Sequence, residues 1–171
     1  MTAPPSGGGT ASSERPPEPV DYSVHYDEGL KVGYKWYDAE NKPVLFPFGY
    51  GLSYTTYRYS ALEARPPARA GGKPTLRFTV SNTGVRAGSE IAQVYATLPP
   101  SAEEPPRRLV GWAKVQLNPG EGRSVTVEVD NDYLKVFDEE ANAWKLLPGV
   151  YVFAVGGSSR DLPLKQEITL P

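Results

Sequence analysis

The chain has 171 residues, no cysteine and a formal net charge of −2 at pH 7, so it suits one domain of ordinary size without disulfides or thiolate chemistry. No apolar run approaches the roughly 20 residues of a membrane-spanning helix, and the N-terminus lacks the basic start and apolar run of a secretory signal. Basic residues are not clustered as a nucleic-acid interface requires. We therefore expect neither a nucleic acid nor a membrane as partner, while the cellular location stays open.

Residues 1–22 are rich in proline, glycine and serine and contain almost no large apolar side chain. Glu14, Glu18 and Asp21 against Arg15 give this segment a formal charge of −2, which leaves the remainder formally neutral. Such a segment cannot bury enough apolar surface to offset the entropy lost on ordering. We predict a disordered tail; the alternative is a proline-rich ligand for an aromatic groove, although no repeated PxxP register stands out.

The next segment, residues 23–52, combines a helix-compatible window at Tyr26–Tyr37 with an aromatic-rich stretch that starts at Val44 and continues to Tyr57. This stretch is broken by Pro47 and by two glycines, so that neither a helix nor a strand accounts for it.

Beyond this segment the chain consists of short runs with period-two alternation, separated by Gly, Pro and Asn turns. Ile91–Leu98 is apolar on both faces and therefore predicts a central strand. Asn131–Phe137 predicts at most one helical turn. The predicted strands cover residues 54–62, 74–82, 91–98, 109–117, 124–129, 150–155 and 168–170. The pattern predicts an all-β fold, an antiparallel β-sandwich of about seven strands.

Four segments together resemble the C-terminal region of glycoside hydrolase family 3 enzymes, the β-glucosidases and β-xylosidases: Tyr26–Asp38, Val44–Tyr57, Gly111–Glu121 and Pro148–Gly156. In that family an α/β sandwich domain is followed by a fibronectin type III-like domain. The resemblance covers roughly Tyr26–Pro171. It implies that residues 23–52 are the terminal segment of the α/β sandwich domain with its junction, and that residues 53–171 are the fibronectin type III-like, immunoglobulin-like sandwich.

The resemblance implies no catalytic residue in this chain, because the family's nucleophilic aspartate and acid/base glutamate lie upstream of the matched region. Glycoside hydrolysis needs two facing carboxylates. The acidic candidates here lie in turn-like or strongly polar stretches, where solvated carboxylates are the rule: Asp27-Glu28, Asp38 with Glu40, Glu103-Glu104 and Asp138-Glu139-Glu140. His25 is the only histidine, so that we expect no metal-binding, cofactor-binding or catalytic residue and no cofactor.

The aromatic residues are assigned to three roles: core packing, contact with another domain and contact with carbohydrate. Trp112 and Tyr151 are predicted to pack in the sandwich core, Tyr151 in an arrangement close to a tyrosine corner. Trp36, Phe46, Phe48 and Tyr50 are predicted domain-interface residues, because their packing partners would lie on the other domains of such an enzyme. Trp36 and Trp144 are also candidates for contact with carbohydrate through their indole faces.

These observations predict a non-catalytic accessory module. Its expected partners are the catalytic barrel and the α/β sandwich domain of a family 3 glycoside hydrolase, with glycan as a further candidate. The proline-rich loop Pro99–Arg108 is predicted to border the substrate cleft. Two alternatives stay open, a free-standing carbohydrate-binding module and a protein-interaction sandwich, and so do the sugar specificity and the oligomeric state.

Overall fold

The computed structural model describes residues 22–69 and 71–171. The predicted tail therefore lies outside the described residues, apart from Tyr22. The strands are β1 Tyr57–Arg65, β2 Thr75–Asn82, β3 Gly88–Thr97, β4 Arg108–Leu117, β5 Gly122–Glu128, β6 Val136–Asp138, β7 Ala143–Lys145, β8 Gly149–Gly156 and β9 Leu164–Leu170. One helix, α1 (Tyr34–Ala39), and two 3₁₀ turns, Pro100–Ala102 and Asn131–Tyr133, complete the described elements.

Two antiparallel sheets form the sandwich. One has the strand order β1-β2-β5 and the other β4-β3-β8-β9, while β6 and β7 pair as a separate ribbon. The prediction of an all-β, fibronectin type III-like sandwich is confirmed. Within the second sheet β3 is flanked by β4 and β8, as expected for the strand that is apolar on both faces.

The core lies between the two sheets and follows from the period-two alternation. Leu76, Phe78 and Val80 of β2 are fully buried, and Phe78 pairs in register with Val125 of β5. From the opposite sheet, Phe153 of β8 is equally buried in the same cluster. Alternate residues of a strand point to opposite faces, which is why a sequence pattern alone identified these inward positions.

Tyr151 lies in the core, as predicted. Its ring is fully buried, and its hydroxyl donates a hydrogen bond to the carbonyl oxygen of Leu147 at 2.7 Å. A hydroxyl bonded to backbone a few residues upstream is the arrangement of a tyrosine corner. Burial raises the pKa of Tyr151.

The prediction that Trp112 packs in the core is wrong, because 60% of its surface is exposed. Trp112 lies on the outer face of β4, an edge strand, opposite Gln93 of β3. Gly111 holds the neighbouring inward position, where a Cβ atom would lie 2.7 Å from the Val127 side chain. The core at this point has room for a glycine only, so the alternation directs Trp112 outwards.

The ribbon β6–β7 was not predicted. Its strands, Val-Phe-Asp and Ala-Trp-Lys, have three residues each, which is too short for an alternation to be detected. The single helical turn expected in Asn131–Phe137 is present as the 3₁₀ turn Asn131–Tyr133. At the N-terminal end, β1 begins at Tyr57, three residues later than the predicted strand at 54–62.

Candidate functional site

The aromatic-rich segment before β1 packs on the outer face of the four-stranded sheet. The ring of Tyr34 stacks on Phe48 with centroids 4.5 Å apart and meets the edge of Tyr95 at 6.1 Å. The backbone N–H of Leu109 donates to the Tyr34 hydroxyl at 2.9 Å. Burial raises the pKa of Tyr34. Residues 34–50 therefore form a third layer, which we call the junction layer, over β3 and β4.

Gln93 anchors the backbone of the junction layer. It is buried on the outer face of β3, where its side-chain amide donates to the carbonyl oxygens of Gly49 at 2.9 Å and Gly157 at 2.7 Å. The Tyr95 hydroxyl donates to the Gln93 side-chain oxygen at 2.7 Å. Gly49 has φ 81° and approaches so closely that a Cβ atom there would overlap the Gln93 amide. Only glycine fits this contact.

A buried carboxylate ties α1 to the loop between β8 and β9. The Asp38 side chain is 3% exposed, and its Oδ1 accepts a hydrogen bond from Arg160 Nε at 2.9 Å. Its Oδ2 lies 3.6 Å from Arg107 Nε. Arg160 also donates to the backbone oxygens of Tyr37 and Lys42, at 3.1 and 2.7 Å. One guanidinium therefore holds three points of the junction layer at once.

A second ionic cluster joins α1 to the predicted cleft-bordering loop Pro99–Arg108. The Glu104 side chain is 6% exposed, accepts a hydrogen bond from Arg108, and has Oε2 3.8 Å from Lys35 Nζ. Desolvation lowers the pKa of Lys35 despite the nearby Glu104 charge. The loop thus packs against the junction layer, and its role beside a substrate cleft stays a prediction.

The four predicted interface residues all lie on the junction layer, with different surroundings. Phe48 is stacked on Tyr34, while Phe46 packs loosely on Tyr50, with ring centroids 5.4 Å apart. Trp36 lies on α1, where Lys42 Nζ sits 4.6 Å from its ring centroid. All four remain at least partly exposed, and Phe46 is 70% exposed.

Several large apolar side chains between residues 45 and 54 are exposed. Leu45 is 94% exposed and Tyr54 91%, and Leu52 is similarly open. Together with Phe46 and Tyr50, they form what we call the apolar rim. Large apolar side chains exposed in such a run are typical of a surface that contacts another polypeptide.

Trp144 lies elsewhere, on β7, directly opposite Phe137 of β6. In the described part of the chain, the structure does not bring it into one cavity with Trp36. The candidate carbohydrate contacts therefore do not form one platform.

The acidic candidates are engaged in ion pairs or lie exposed. Asp38 and Glu104 pair with arginines as described, and Asp138 pairs with Lys145 at 2.6 Å. Among the described residues, no group of three or more His, Cys, Asp or Glu side chains is arranged to hold a metal ion. Within the same residues, none of the helices has the length and apolarity needed to cross a membrane.

Sequence reasoning missed the residues that hold the junction layer. In the sequence, Gln93 interrupts an apolar strand, and Asp38 is one of several carboxylates that lie in polar stretches. A polar side chain within a strand that is buried on both faces must find partners, so Gln93 carried a usable signal. Arg160 carried none, because its partners lie 118–123 residues away in sequence.

Comparison with known proteins identifies this arrangement. Residues 90–159 match the fibronectin type III-like domain family. A probable β-glucosidase G of Aspergillus flavus is 36% identical over 170 residues, covering 87% of this chain and 21% of the relative. Thermostable β-glucosidase B of Acetivibrio thermocellus is 37% identical over 150 residues, covering 86% of this chain and 20% of the relative.

Solved structures agree. DesR, a β-glucosidase from Streptomyces venezuelae solved in complex with D-glucose, superposes with a TM-score of 0.80 at 39% identity, covering 85% of this chain and 19% of that one. A GH3 β-glucosidase from Bifidobacterium adolescentis gives 0.78 at 35% identity, covering 84% and 21%. The chain thus spans about a fifth of the length of the relatives it matches. It corresponds to the C-terminal part of glycoside hydrolase family 3 β-glucosidases, the part that carries their fibronectin type III-like domain.

Proposed function

We propose that this chain is a non-catalytic accessory module that packs against the catalytic barrel and α/β sandwich domain of a family 3 β-glucosidase, stabilises them, and so serves carbohydrate metabolism. The observation that carries the proposal is the apolar rim. Its side chains are exposed although the backbone beneath them is anchored.

The anchoring matters because it makes the rim an ordered surface. The Ser159 N–H donates to the Phe48 carbonyl at 2.8 Å, and Gln93 donates to the Gly49 carbonyl. The rim residues on either side of these anchors, such as Leu45 and Tyr54, project from a fixed support. A preorganised apolar surface with charged groups such as Arg160 nearby has the composition of a protein interface.

The length of the relatives supports the choice of partner. Each is about five times as long as the matched region, so that in those enzymes this part is joined to other domains. We infer that the same domains are the partner of the apolar rim here. By this account residues 23–52 are the junction and terminal segment of the α/β sandwich domain, held against the fibronectin type III-like domain by Asp38 and Gln93.

The chain alone is expected not to hydrolyse glycosides. Two buried carboxylates, Asp38 and Glu104, are bound to arginines and line different cavities, whereas glycoside hydrolysis needs two carboxylates that face one site. Purified protein should show no turnover of aryl β-glucosides or aryl β-xylosides. Turnover that persists through repurification, and is lost on Asp138→Asn, would contradict the non-catalytic assignment.

Docking is tested with the catalytic portion of the Streptomyces venezuelae enzyme, produced without the region that this chain matches. We expect association with this chain, and weaker association for Leu45→Ser and Phe46→Ser. Val85→Ser is the matched control, because Val85 is 90% exposed and lies outside the rim. The enzyme's own C-terminal part serves as positive control. If that part binds and this chain does not, or if the rim variants bind as well as wild type, the proposal fails.

A further inference from the structure

A cavity of about 800 Å³ lies between the β6–β7 ribbon, the turn after β3 and the start of the junction layer. We call it the ribbon cavity and define it by Lys35, Glu104, Arg108, Tyr133, Phe137 and Trp144, which all line it. Its size lies in the range of about 300–1,000 Å³ that small-molecule sites occupy. It is separate from the apolar rim, since no rim residue lines it in the described part of the chain.

Its aromatic side chains are ordered and yet open. Trp144 is 63% exposed, although Phe137 opposes it across the ribbon with ring centroids 5.5 Å apart and an interplanar angle of 70°. Tyr133, in the preceding 3₁₀ turn, is also exposed. The edge-to-face contact restricts the indole ring without covering it. An exposed ring of this kind can stack on the apolar C–H face of a pyranose.

The polar wall of the cavity has an unused hydrogen-bond acceptor. Glu104 Oε1 is bound to Arg108, but Oε2 has no hydrogen-bond partner among the described residues, although the side chain is only 6% exposed. The Lys35 ammonium is 3.8 Å away, which is too far for a hydrogen bond. Oε2 itself is closed to solvent, so that a hydroxyl reaches it when the Lys35 side chain moves aside, and would then donate to the carboxylate and accept from the ammonium. An unpaired buried acceptor is costly, so a ligand hydroxyl there is favoured.

Arg108 connects this wall to the aromatic side. Its Nη1 donates to the carbonyl oxygens of Tyr133 and Lys135, at 3.1 and 2.8 Å. The same guanidinium therefore fixes both the Glu104 carboxylate and the turn that leads into the ribbon. The polar and aromatic groups are held in one arrangement before any ligand arrives.

Charge selects the class of ligand. Two cations, Lys35 and Arg108, line the cavity in the described part of the chain, against five carboxylates: Glu103, Glu104, Asp132, Asp138 and Glu139. Asp132 and Asp138 are paired with lysines beside the cavity, Lys135 and Lys145, so that one negative charge is in excess. This excess disfavours phosphates, nucleotides and uronic acids. Neutral sugars, by contrast, use carboxylates and cations alike as hydrogen-bond partners.

We propose that the ribbon cavity binds a neutral glycan segment, with Trp144 as the stacking platform and the Lys35–Glu104 pair as the hydroxyl-binding group. The assignment does not depend on docking to a catalytic portion. It gives the module a second role, that of holding a neutral polysaccharide close to an attached enzyme.

The test titrates the full chain with cellotetraose, laminaritetraose and xylotetraose, followed by tryptophan fluorescence and calorimetry. At least one should bind saturably below about 10 mM. Trp144→Ala should weaken binding about tenfold or more, Trp144→Phe should weaken it less, and Phe46→Ser should leave it unchanged. Tetragalacturonate, the charged comparison, should not bind. Circular dichroism verifies that each variant is folded.

Failure of all three neutral oligosaccharides to bind would overturn the proposal, and so would equal binding by wild type and Trp144→Ala. Tighter binding of tetragalacturonate would overturn the charge argument. If Trp144→Ala instead weakened association with a catalytic portion while no glycan bound, the cavity would be a protein contact. None of these outcomes changes the result for the Leu45 and Phe46 variants, so that the two proposals fail separately.

Discussion

Replacing Asp38 with alanine is expected to lower the free energy of unfolding by about 1.5–3 kcal/mol. The carboxylate is 3% exposed and accepts a charge-assisted hydrogen bond from Arg160. Breaking a fully buried pair costs about 3–5 kcal/mol because the remaining charge stays desolvated. Here Arg160 and Arg107 keep 29% and 31% of their side-chain surface exposed and can be rehydrated. The expected cost is therefore the smaller one, about 1.5–3 kcal/mol.

Urea denaturation, followed by tryptophan fluorescence and far-ultraviolet circular dichroism, measures this loss. Glu63→Ala is the matched control, because Glu63 and Arg65 form an exposed pair worth about 0–1 kcal/mol. If Asp38→Ala were no more costly than Glu63→Ala, the junction layer would not be part of the cooperative unit, and the contacts of Asp38 would contribute nothing to the folded state.

Three further predictions concern the sandwich. Tyr151→Phe removes the hydrogen bond to the Leu147 carbonyl and should cost about 0.5–1.5 kcal/mol in the same denaturation assay; an unchanged midpoint would contradict the tyrosine-corner role. Trp112→Ala should lower the free energy of unfolding by less than about 1 kcal/mol; a loss of about 3–5 kcal/mol would show that Trp112 is packed in the core. Burial raises the pKa of Glu90, the Asp161 charge adds to this, and the hydrogen bond from Tyr59 opposes it. A raised folded-state pKa contributes stability that is present below the unfolded-state value and lost as the pH rises through the folded-state value. Glu90→Gln, which keeps an acceptor for Tyr59, should therefore match or exceed wild-type stability near about pH 7, with the difference shrinking in acid; a wild-type advantage that grows with pH would contradict this.

The local sequence pattern was sufficient to predict the strands of the sandwich. Leu76, Phe78 and Val80 alternate with polar residues, and the structure buries all three. Tyr151 could likewise be assigned, because the Pro148-Gly149 turn fixes where its strand starts. In each case the signal lies within a few residues of the position it describes.

The features that the sequence did not predict depend on contacts between residues that are distant in sequence. Trp112 has the hydrophobicity of a core residue, and only the close approach of Val127 to Gly111 shows that its strand directs it outwards. The junction layer is held by Gln93 and by the Asp38–Arg160 pair, whose partners are set by the packing of α1 on the sheet. Tertiary packing overrides a single-residue preference at such positions.

The most direct test of the accessory-module account is hydrogen exchange, measured by mass spectrometry on this chain alone and mixed with the catalytic portion of a family 3 β-glucosidase. The account predicts slower exchange in peptides that cover residues 43–54, and no change in β2 (Thr75–Asn82), which is already protected within the sandwich. Unchanged exchange at 43–54 in a mixture shown to be associated, or protection confined to other surfaces, would contradict the claim that the apolar rim is the docking surface.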